Sequence, residues 1–206
     1  MQSYSQHGQD QFVFENFFKS EPNKGLFVDI GAYDGITFSN SLFFERHLGW
    51  SGVCVEPIPS VFEKLRANRS ALCLNCAVSD NDGTASFIDV DMPEFGKMYS
   101  GLRADYDPRH IHLVQTQATA TQTIDVQTRR LDRILDENQI RKIDYLSLDT
   151  EGSEAKILKS IDLTVYDVAV ISVENNYNDI RIRNHLLRCG YRLIHVFAGF
   201  DELYAK

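Results

Sequence analysis

The stretch from Leu26 to Gly35, with the sequence LFVDIGAYDG, constrains the fold of this chain more than any other. A short apolar run is interrupted by Asp29 and then breaks into a glycine-containing loop. The segment VCVE, which ends at Glu56, follows at the distance at which an α/β fold places its second strand. Together the two segments are typical of the floor and the ribose contact of a nucleoside-type cofactor site.

Apolar strand-like runs alternate with helix-like segments over most of the chain. Strands are predicted over 25–30, 51–56, 72–78, 84–90, 123–128, 143–148 and 168–173, with a final hairpin from 191–197 and 202–205. Helices are predicted over 10–19, 36–48, 59–69, 130–138, 153–160 and 179–189. This alternation indicates an α/β fold in which helices cover both faces of a buried sheet.

The whole chain, residues 1–206, is predicted to form one domain with an insertion at about 91–122. The insertion mixes Pro, Gly, Tyr, His and a Thr/Gln run, and it shows little hydrophobic periodicity. It is too long for a simple connection between two strands. We therefore interpret it as a lid or a mobile insertion over a functional site.

Charge and composition narrow the compartment and the class of partner. The net charge of −8 disfavours nucleic acid as a partner. No apolar run reaches 18 residues and the N-terminus lacks a signal-peptide pattern, so we expect a cytoplasmic protein without a membrane span. Cys73 and Cys76 have CxxC spacing, but on one strand their side chains point to opposite faces, so we expect reduced cysteines rather than a metal or redox pair.

Carboxylates stand at or just after the ends of four predicted strands, at Asp29, Glu56, Asp149 and Glu174. In α/β sheets, ligands bind beyond the carboxyl ends of the strands. Acidic residues at these places also cap the helices that follow, and that alternative stays open for each one alone. Four such strand ends in one sheet favour a ligand site.

The loop after the first strand departs from the dinucleotide fingerprint. Tyr33 stands where the middle glycine of G-x-G-x-x-G approaches a pyrophosphate, and Asp34 adds negative charge there. These residues disfavour NAD, FAD and nucleoside triphosphates. They suit S-adenosyl-L-methionine, which is cationic and carries no phosphate. Glu56, about 20 residues beyond the glycines, is then placed to accept hydrogen bonds from the ribose hydroxyls.

The chain resembles the FkbM-type S-adenosylmethionine-dependent methyltransferases in the order of five motifs. These are YSQHGQD at 4–10, VDIGAYDG at 28–35, VEP at 55–57, NCAVSD at 75–80 and LDTEGSE at 148–154. The resemblance implies the class I methyltransferase sheet, a Rossmann-like sheet of about seven strands with the last one antiparallel. It also implies O-methylation of a hydroxyl on a sugar, glycan or small natural product, so the expected partner is a small-molecule or carbohydrate acceptor.

The resemblance also implies which residues hold the cofactor. The methionine end is assigned to the loop residues Asp29, Gly31, Ala32 and Gly35, with Ser39 and Asn40 reaching its carboxylate from the first helix. The ribose is assigned to Glu56, with Pro57 beside it. The adenine is assigned to Ala77, Val78 and Asp80.

Methyl transfer to an alcohol requires removal of the hydroxyl proton. The candidates are Asp149, Glu151 and Glu174, which follow two predicted strands that lie side by side in the implied sheet. Neighbouring carboxylates raise one another's pKa, which creates a base near neutral pH. Two alternatives stay open: the same oxygens hold Mg²⁺, or they only position the cofactor, which Asp149 is also expected to contact.

Other interpretations remain for three features. His110 and His112 in the insertion are read as solvated loop residues rather than as a base or a metal pair, and Arg103, Arg109, Tyr99 and Tyr106 are candidates to grip an acceptor. Gln6 or Gln9 either contacts the cofactor or merely precedes a helix capped by Asp10.

Two rival functions stay open. One is N-methylation, which the charged Asp149–Gly152 turn disfavours, and the other is a cofactor-binding interaction module without catalysis.

Overall fold

A computed structural model describes residues 2–20 and 24–206, so Met1 and residues 21–23 of the predicted domain lie outside the described residues. The strands are β1 (Leu26–Ile30), β2 (Ser51–Val55), β3 (Leu72–Leu74), β4 (Ala77–Ser79), β5 (Gly83–Asp91), β6 (Gly101–Leu102), β7 (Ala120–Arg130), β8 (Lys142–Leu148), β9 (Asp167–Glu174), β10 (Arg192–Phe197) and β11 (Asp201–Ala205). The helices are α1 (Gln9–Val13), which continues as a π-helical turn over Phe14–Phe18, α2 (Leu42–Leu48), α3 (Pro59–Asn68), α4 (Pro108–Gln117), α5 (Leu131–Glu137), α6 (Glu154–Ser160) and α7 (Ile180–Arg188).

Seven strands form the main sheet in the order β10-β11-β9-β8-β1-β2-β3. The pairs from β9 to β3 are parallel, whereas β11 runs antiparallel to β9 and to β10. The predicted class I methyltransferase sheet is therefore confirmed, with the last strand of the chain antiparallel. That strand lies between β9 and β10, because the final hairpin folds back into the sheet.

Alternate residues of the strands pack into two separate cores, as expected for a sheet buried on both faces. Val28 and Leu146 belong to one core with helices α5, α6 and α7, whereas Phe27 and Tyr145 belong to the other with α1, α2 and α3. The segment near the N-terminus packs into the second core through Phe12, Phe14, Phe17 and Phe18. The expected helix layers on both faces are thus present.

The carboxyl ends of the central strands lie at one edge of the sheet. Ile30 pairs with Leu148, and Leu148 pairs with Val173, so the residues that follow these three meet at the same edge. This register places Gly31, Asp149 and Glu174 next to one another. Strand pairing therefore brings together the loops in which the sequence predicts the site.

The predicted strand 72–78 is wrong as one element, since the chain changes sheets within it. β3 belongs to the main sheet, whereas β4 opens a second sheet of order β4-β7-β5-β6. The Asn75 side-chain amide donates to the backbone oxygens of Glu56 and Pro57, at 2.8 and 3.1 Å, and it fixes the break between the two strands. The four cysteines are free thiols.

The insertion at 91–122 contains more regular structure than its composition indicates. It holds β6, helix α4 and the first residues of β7, and Val90, Met92 and Val114 form a small core beneath it. The Asp107 side chain caps α4 by accepting from the Arg109 N–H at 2.8 Å. An Asp-Pro pair at N-cap and N1 is a sequence signal for this helix start. Its role as a lid stays a prediction.

The helix predicted over 36–48 begins later than expected, at Leu42. Residues 36–41 form turns instead, and Phe38 adopts a left-handed conformation with φ of 55°. Ser39 Oγ accepts from the Leu42 N–H at 3.1 Å, so Ser39 and Asn40 belong to the loop before the helix. Within residues 2–20 and 24–206, no helix is both long and apolar enough to cross a membrane.

Candidate active site

A cavity, here called the first cavity, opens at the edge of the main sheet where β1, β2 and β8 end. Ten of the predicted cofactor residues line it: Asp29, Gly31, Ala32, Ser39, Asn40, Glu56, Pro57, Ala77, Val78 and Asp149. The proposed catalytic residues Glu151 and Glu174 also line it, and so do Tyr99 and Gln6. The fold therefore gathers most of the predicted site around one space.

Two predicted cofactor residues, Gly35 and Asp80, lie outside the first cavity. Gly35 packs against Arg69, whose Cγ would stand 2.6 Å from an added Cβ, so this glycine serves the close packing of the loop on α3. The Asp80 side chain is exposed and accepts from the Ser79 hydroxyl at 3.3 Å. Asp80 lies apart from the first cavity because the chain leaves the main sheet after β3, whereas Gly35 lies apart because its side of the loop packs on Arg69.

A glycine is required at position 31 because the loop after β8 packs directly against it. Its φ is +86°, and a Cβ atom built there would lie 1.7 Å from the carbonyl oxygen of Asp149. The Asp149 N–H donates to the Ile30 oxygen at 3.0 Å, which draws the two loops together. No side chain fits at this position. Gly31 therefore allows the loop after β1 to pack directly against the loop after β8, which carries the candidate bases.

Asp29 and Asn40 form the floor of the first cavity near the end of β1. Asp29 is buried and accepts from the Ser41 hydroxyl at 2.5 Å; burial raises its pKa, and Arg69 and Ser41 oppose that shift. The Asn40 amide nitrogen donates to Ser147 Oγ at 3.1 Å. Its oxygen, Oδ1, is buried and has no hydrogen-bond partner among the described residues, so this acceptor is available to a ligand.

Glu56 lies buried at the end of β2, on the opposite side of the first cavity. One carboxylate oxygen accepts from the Ile58 N–H at 2.8 Å, and the Tyr33 backbone N–H also donates to the carboxylate. Burial raises the pKa of Glu56 to about 8, although these hydrogen bonds oppose the shift. A ligand whose hydroxyl groups donate hydrogen bonds to Glu56 stabilises the carboxylate. At neutral pH, binding of such a ligand therefore favours loss of the proton from Glu56.

Arg69 supports the loop that lines the first cavity, and no sequence motif indicates this role. Its side chain is fully buried and pairs with Glu45 at 2.9 Å. The guanidinium also donates to Ser39 Oγ at 3.3 Å and to Ser41 Oγ at 3.0 Å. A buried charge is tolerated because each of these partners accepts from it. Arg69 therefore fixes the loop that carries Ser39 and Asn40.

Asp149, Glu151 and Glu174 converge as expected from the strand register. One carboxylate oxygen from each residue lies within 4.8 Å of the others. Burial is the main cause that raises all three pKa values, and repulsion from neighbouring carboxylates, which for each of them include Glu154 and Asp201, adds to it. The pKa of Asp149 rises to about 7, and Glu174 and Asp149 share a hydrogen bond. The cluster therefore holds protons near neutral pH.

The loop after β8 presents Glu151 to the cluster in a strained conformation. Glu151 has φ of 58°, and Gly152 follows with φ of 125°. The buried Glu154 carboxylate accepts from the Thr150 N–H at 2.7 Å, the Thr150 hydroxyl at 2.8 Å and the Gly152 N–H at 3.1 Å. Glu154 thus holds the loop shape that turns the side chain of Glu151 inward.

His110 is buried beside Glu151, so its interpretation as a solvated loop residue is wrong. His112 is exposed as expected, but it lies on helix α4 and not in a loop. His110 Nε2 lies 3.0 Å from the Tyr99 carbonyl oxygen, which only accepts, so Nε2 carries the proton and Nδ1 offers a lone pair. Nδ1 lies 3.4 Å from Glu151 Oε2, and neither atom has a hydrogen-bond partner within residues 2–20 and 24–206.

The N-terminal segment folds over the first cavity. Gln6 and Gln9 line it together with Asp201, and Gln9 Nε2 donates to Asp201 Oδ2 at 2.5 Å. Asp10 lies inside α1 rather than at its N-cap, so the expected helix cap is wrong. The Asp10 carboxylate instead accepts from the Tyr4 N–H at 2.7 Å and organises the segment before the helix.

A second cavity adjoins the first on the far side of Glu151. It is lined by residues 105–109, 151–152, 154 and 174–182. Glu151, Glu174 and Asn176 line both cavities. Of the residues predicted to grip an acceptor, Tyr106 and Arg109 belong to the second cavity, Tyr99 to the first, and Arg103 to neither.

Residues 29–193 match the family model for the methyltransferase FkbM domain. No curated protein sequence matches this chain. The matched range contains the predicted site residues from Asp29 to Glu174. It also contains the whole insertion, from 91 to 122.

Three solved structures share the fold at low sequence identity. The FkbM methyltransferase from Methylobacillus flagellatus KT has a TM-score of 0.56 and 14% identity over 95% of this chain and 48% of its own. Precorrin-6y C5,15-methyltransferase from Geobacter metallireducens GS-15 has 0.52 and 11%, over 96% and 86%. The N-terminal domain of human METTL16, in complex with SAH, has 0.50 and 12%, over 97% and 66%. The chain thus spans about half the length of the first of these proteins.

Proposed function

Because this chain belongs to the FkbM methyltransferase family, we propose that it transfers the methyl group of S-adenosyl-L-methionine to a hydroxyl oxygen of a sugar, glycan or small natural product. One observation carries the choice of a hydroxyl. Glu151 stands between two cavities with a buried oxygen, Oε2, that has no hydrogen-bond partner among the described residues. A base in that position suits an acceptor that must lose a proton as it is methylated.

The first cavity suits the cofactor at both of its ends. Glu56 supplies a carboxylate for the ribose hydroxyls, and the unpartnered Oδ1 of Asn40 supplies an acceptor for the ammonium group of the methionine end. When bound, S-adenosylmethionine supplies a methyl group on a positively charged sulfur. The carboxylates near the junction of the cavities favour that positive charge. The SAH in the METTL16 structure supports the same cofactor class for this fold.

Glu151 and His110 together suit removal of the acceptor proton. Glu151 lines both cavities, so a hydroxyl group in the second cavity is within reach of its carboxyl group. His110 Nδ1 faces Glu151 Oε2 and carries no proton in the tautomer that the Tyr99 carbonyl selects. We propose that the carboxylate form of Glu151 accepts the hydroxyl proton, and that the protonated Glu151 then donates a hydrogen bond to the lone pair of His110 Nδ1, which positions it.

The alternative role of the carboxylates, as ligands of Mg²⁺, ranks second. Mg²⁺ prefers oxygen ligands in octahedral geometry. A nitrogen atom, Nδ1 of His110, faces the free oxygen of Glu151 and suits a proton better than this cation. We therefore expect methyl transfer to persist in excess EDTA, and loss of activity that added Mg²⁺ restores would favour the metal.

Two further proposals concern the setting of the reaction. The four free thiols support a reducing compartment, so we place the enzyme in the cytoplasm. The net charge of −8 and the acidic junction between the cavities support a carbohydrate or small-molecule acceptor over nucleic acid.

A labelled methyl-transfer screen tests the proposed function. The protein is incubated with tritium-methyl S-adenosylmethionine and with matched hydroxyl and amine acceptors, and the methylated atom is mapped in each product. We expect label on an oxygen of a sugar, glycan or small alcohol. Label found only on nitrogen, or cofactor binding without transfer to any hydroxyl, would contradict the proposal.

A further inference from the structure

The second cavity is placed to hold the acceptor, because a ligand there would meet Glu151 from the side opposite the cofactor. Glu151 is 8% exposed, and its Oε2 has no hydrogen-bond partner among the described residues. Asn176 also lines both cavities, and a side-chain amide both donates and accepts hydrogen bonds. A buried free acceptor and an amide at one junction suit a ligand rich in hydroxyl groups.

Acidic groups dominate the wall of the second cavity. Its lining contains six carboxylates and two guanidinium groups: Asp105, Asp107, Glu151, Glu154, Glu174 and Asp179 against Arg109 and Arg181. Asp105 is paired with Lys156. Glu151 and Glu174 hold protons near neutral pH, so the wall presents carboxyl groups and ion pairs. An acceptor with a phosphate or carboxylate near its reactive hydroxyl therefore loses its hydration there unless a cation of the wall is free to pair with it.

Both cationic side chains of this wall are already paired with aspartates. Arg109 donates twice to Asp107, from Nε and Nη2 at 2.9 Å each. Arg181 donates to Asp179, with Nε at 2.8 Å and Nη2 at 2.6 Å from Oδ2. The donors that each guanidinium would use to bind an anion are thus already bound to an aspartate of the protein.

The two helix starts beside the cavity are occupied in the same way. Helices α4 and α7 both begin here, and exposed N–H groups at such starts normally bind anions. Asp107 Oδ1 accepts from the Arg109 N–H at 2.8 Å, and Asp179 Oδ1 accepts from the Arg181 N–H at 2.9 Å. One aspartate at each start therefore neutralises both an arginine and the backbone groups that would hold a phosphate.

We propose that the second cavity binds the acceptor as a sugar that carries no phosphate, sulfate or carboxylate beside the methylated hydroxyl. Hydroxyl groups then meet Asn176 and Glu151, and an amino substituent on the sugar is tolerated by the acidic wall. This inference rests on the proposed function and narrows its substrate class. It excludes sugar phosphates and nucleotide-activated sugars as preferred acceptors.

A panel of matched acceptors tests this selectivity in the full-length protein. An unmodified glycoside is compared with its amino, phosphate and uronate forms, by initial rates of methyl transfer and by calorimetric binding to the protein saturated with SAH. We expect kcat/KM about tenfold or more lower for the phosphate and uronate forms than for the neutral form. We expect the amino form to match or exceed the neutral one.

A charge-removing variant tests whether the wall causes the selectivity. Asn also caps helices well, so Asp107→Asn with Asp179→Asn keeps both helix starts while freeing Arg109 and Arg181. The rate ratio of phosphate to neutral acceptor should rise about tenfold in this double variant. Asp162→Asn, an exposed change outside both cavities, serves as the control and should leave the ratio unchanged.

The possible outcomes separate this inference from the proposed function. Equal or faster methylation of the phosphate form by the unaltered protein would overturn the inference and leave a hydroxyl methyltransferase in place. An unchanged ratio in the double variant would show that the wall does not select the acceptor. If no acceptor in the panel is methylated or binds the SAH complex, both proposals fail.

Discussion

The first and second cavities differ in how the chain builds them. The floor of the first is formed by loops that directly follow β1, β2 and β8, which carry most of its predicted residues, and the N-terminal segment and the insertion complete its lining. The second is assembled from the insertion, the end of β9 and the start of α7, which are far apart in the sequence. The parallel register of the sheet therefore accounts for most of the proposed cofactor side, whereas long-range packing forms the proposed acceptor side.

The largest expected effect separates catalysis from cofactor binding. Glu151→Gln removes the proposed base at the junction, so kcat should fall by about 10²–10⁴-fold while the Kd for S-adenosylmethionine stays nearly unchanged. Steady-state rates and calorimetry check the two quantities. Glu63→Gln, an exposed change outside both cavities, is the control. Full activity in Glu151→Gln would move the base to another residue.

A second change disrupts the contact between the loop after β1 and the loop after β8. Gly31→Ala forces a Cβ atom against the Asp149 carbonyl oxygen, and the free energy of unfolding should fall by about 3–5 kcal/mol. Gly8→Ala is a matched control, because Gly8 also has a positive φ, of 82°, but has no neighbour within 4 Å. That control should lose only about 1–2 kcal/mol in denaturant unfolding. Equal losses would mean that the loops are not packed together.

The sheet and the first cavity are predictable because their signals are local. Apolar runs that end in carboxylates identify β1, β2, β8 and β9, and parallel register alone brings Asp149 and Glu174 together. Gly35 and Asp80, which the resemblance assigns to the cofactor, lie outside the first cavity, since nearness in sequence to a motif does not fix which way a loop turns. The turn at 75–76, where the chain changes sheets, carried Asp80 away.

The acceptor side was less predictable because its contacts join distant segments. His110 meets Glu151 across about 40 residues of sequence, and its surroundings include Tyr106, whose ring centroid lies 4.4 Å away. Neither residue type nor spacing indicates this pairing. The start of α4 was the one accessible signal, since Asp107 and Pro108 form a typical helix N-terminus.

A third prediction weakens the cofactor side alone. Glu56→Gln removes a charged acceptor for the ribose, so the Kd for S-adenosylmethionine should rise by about 10–100-fold, with little change in the KM for the acceptor. Because the pKa of Glu56 is about 8 in the free protein and ribose hydrogen bonds favour the carboxylate, binding should release a proton. Affinity should therefore fall as the pH drops below about 8.

Calorimetry across pH checks this linkage. The unaltered protein should lose affinity toward acidic pH by no more than about tenfold per pH unit, and Glu56→Gln should lose that part of the pH dependence. Affinity that is flat in the unaltered protein, or that rises as the pH falls, would contradict the assignment of Glu56 to the ribose.

The smallest expected effect concerns His110, and it tests whether this residue of the insertion acts on Glu151. His110→Asn replaces the basic imidazole nitrogen that faces Glu151 by an amide that does not titrate, so kcat should fall about tenfold and the pH profile of kcat should shift, while cofactor affinity is kept. His112→Asn, two residues along the same helix and exposed, is the control. A fall in activity with no change in the pH profile would reduce His110 to a packing role.

A structure of the protein with SAH and a sugar acceptor bound tests the central claim most directly. SAH should occupy the first cavity with its ribose at Glu56. The acceptor should lie in the second cavity with one hydroxyl oxygen about 2.6–3.2 Å from a carboxyl oxygen of Glu151. An acceptor bound elsewhere, or one whose hydroxyl approaches the cofactor sulfur without contacting Glu151, would contradict the account.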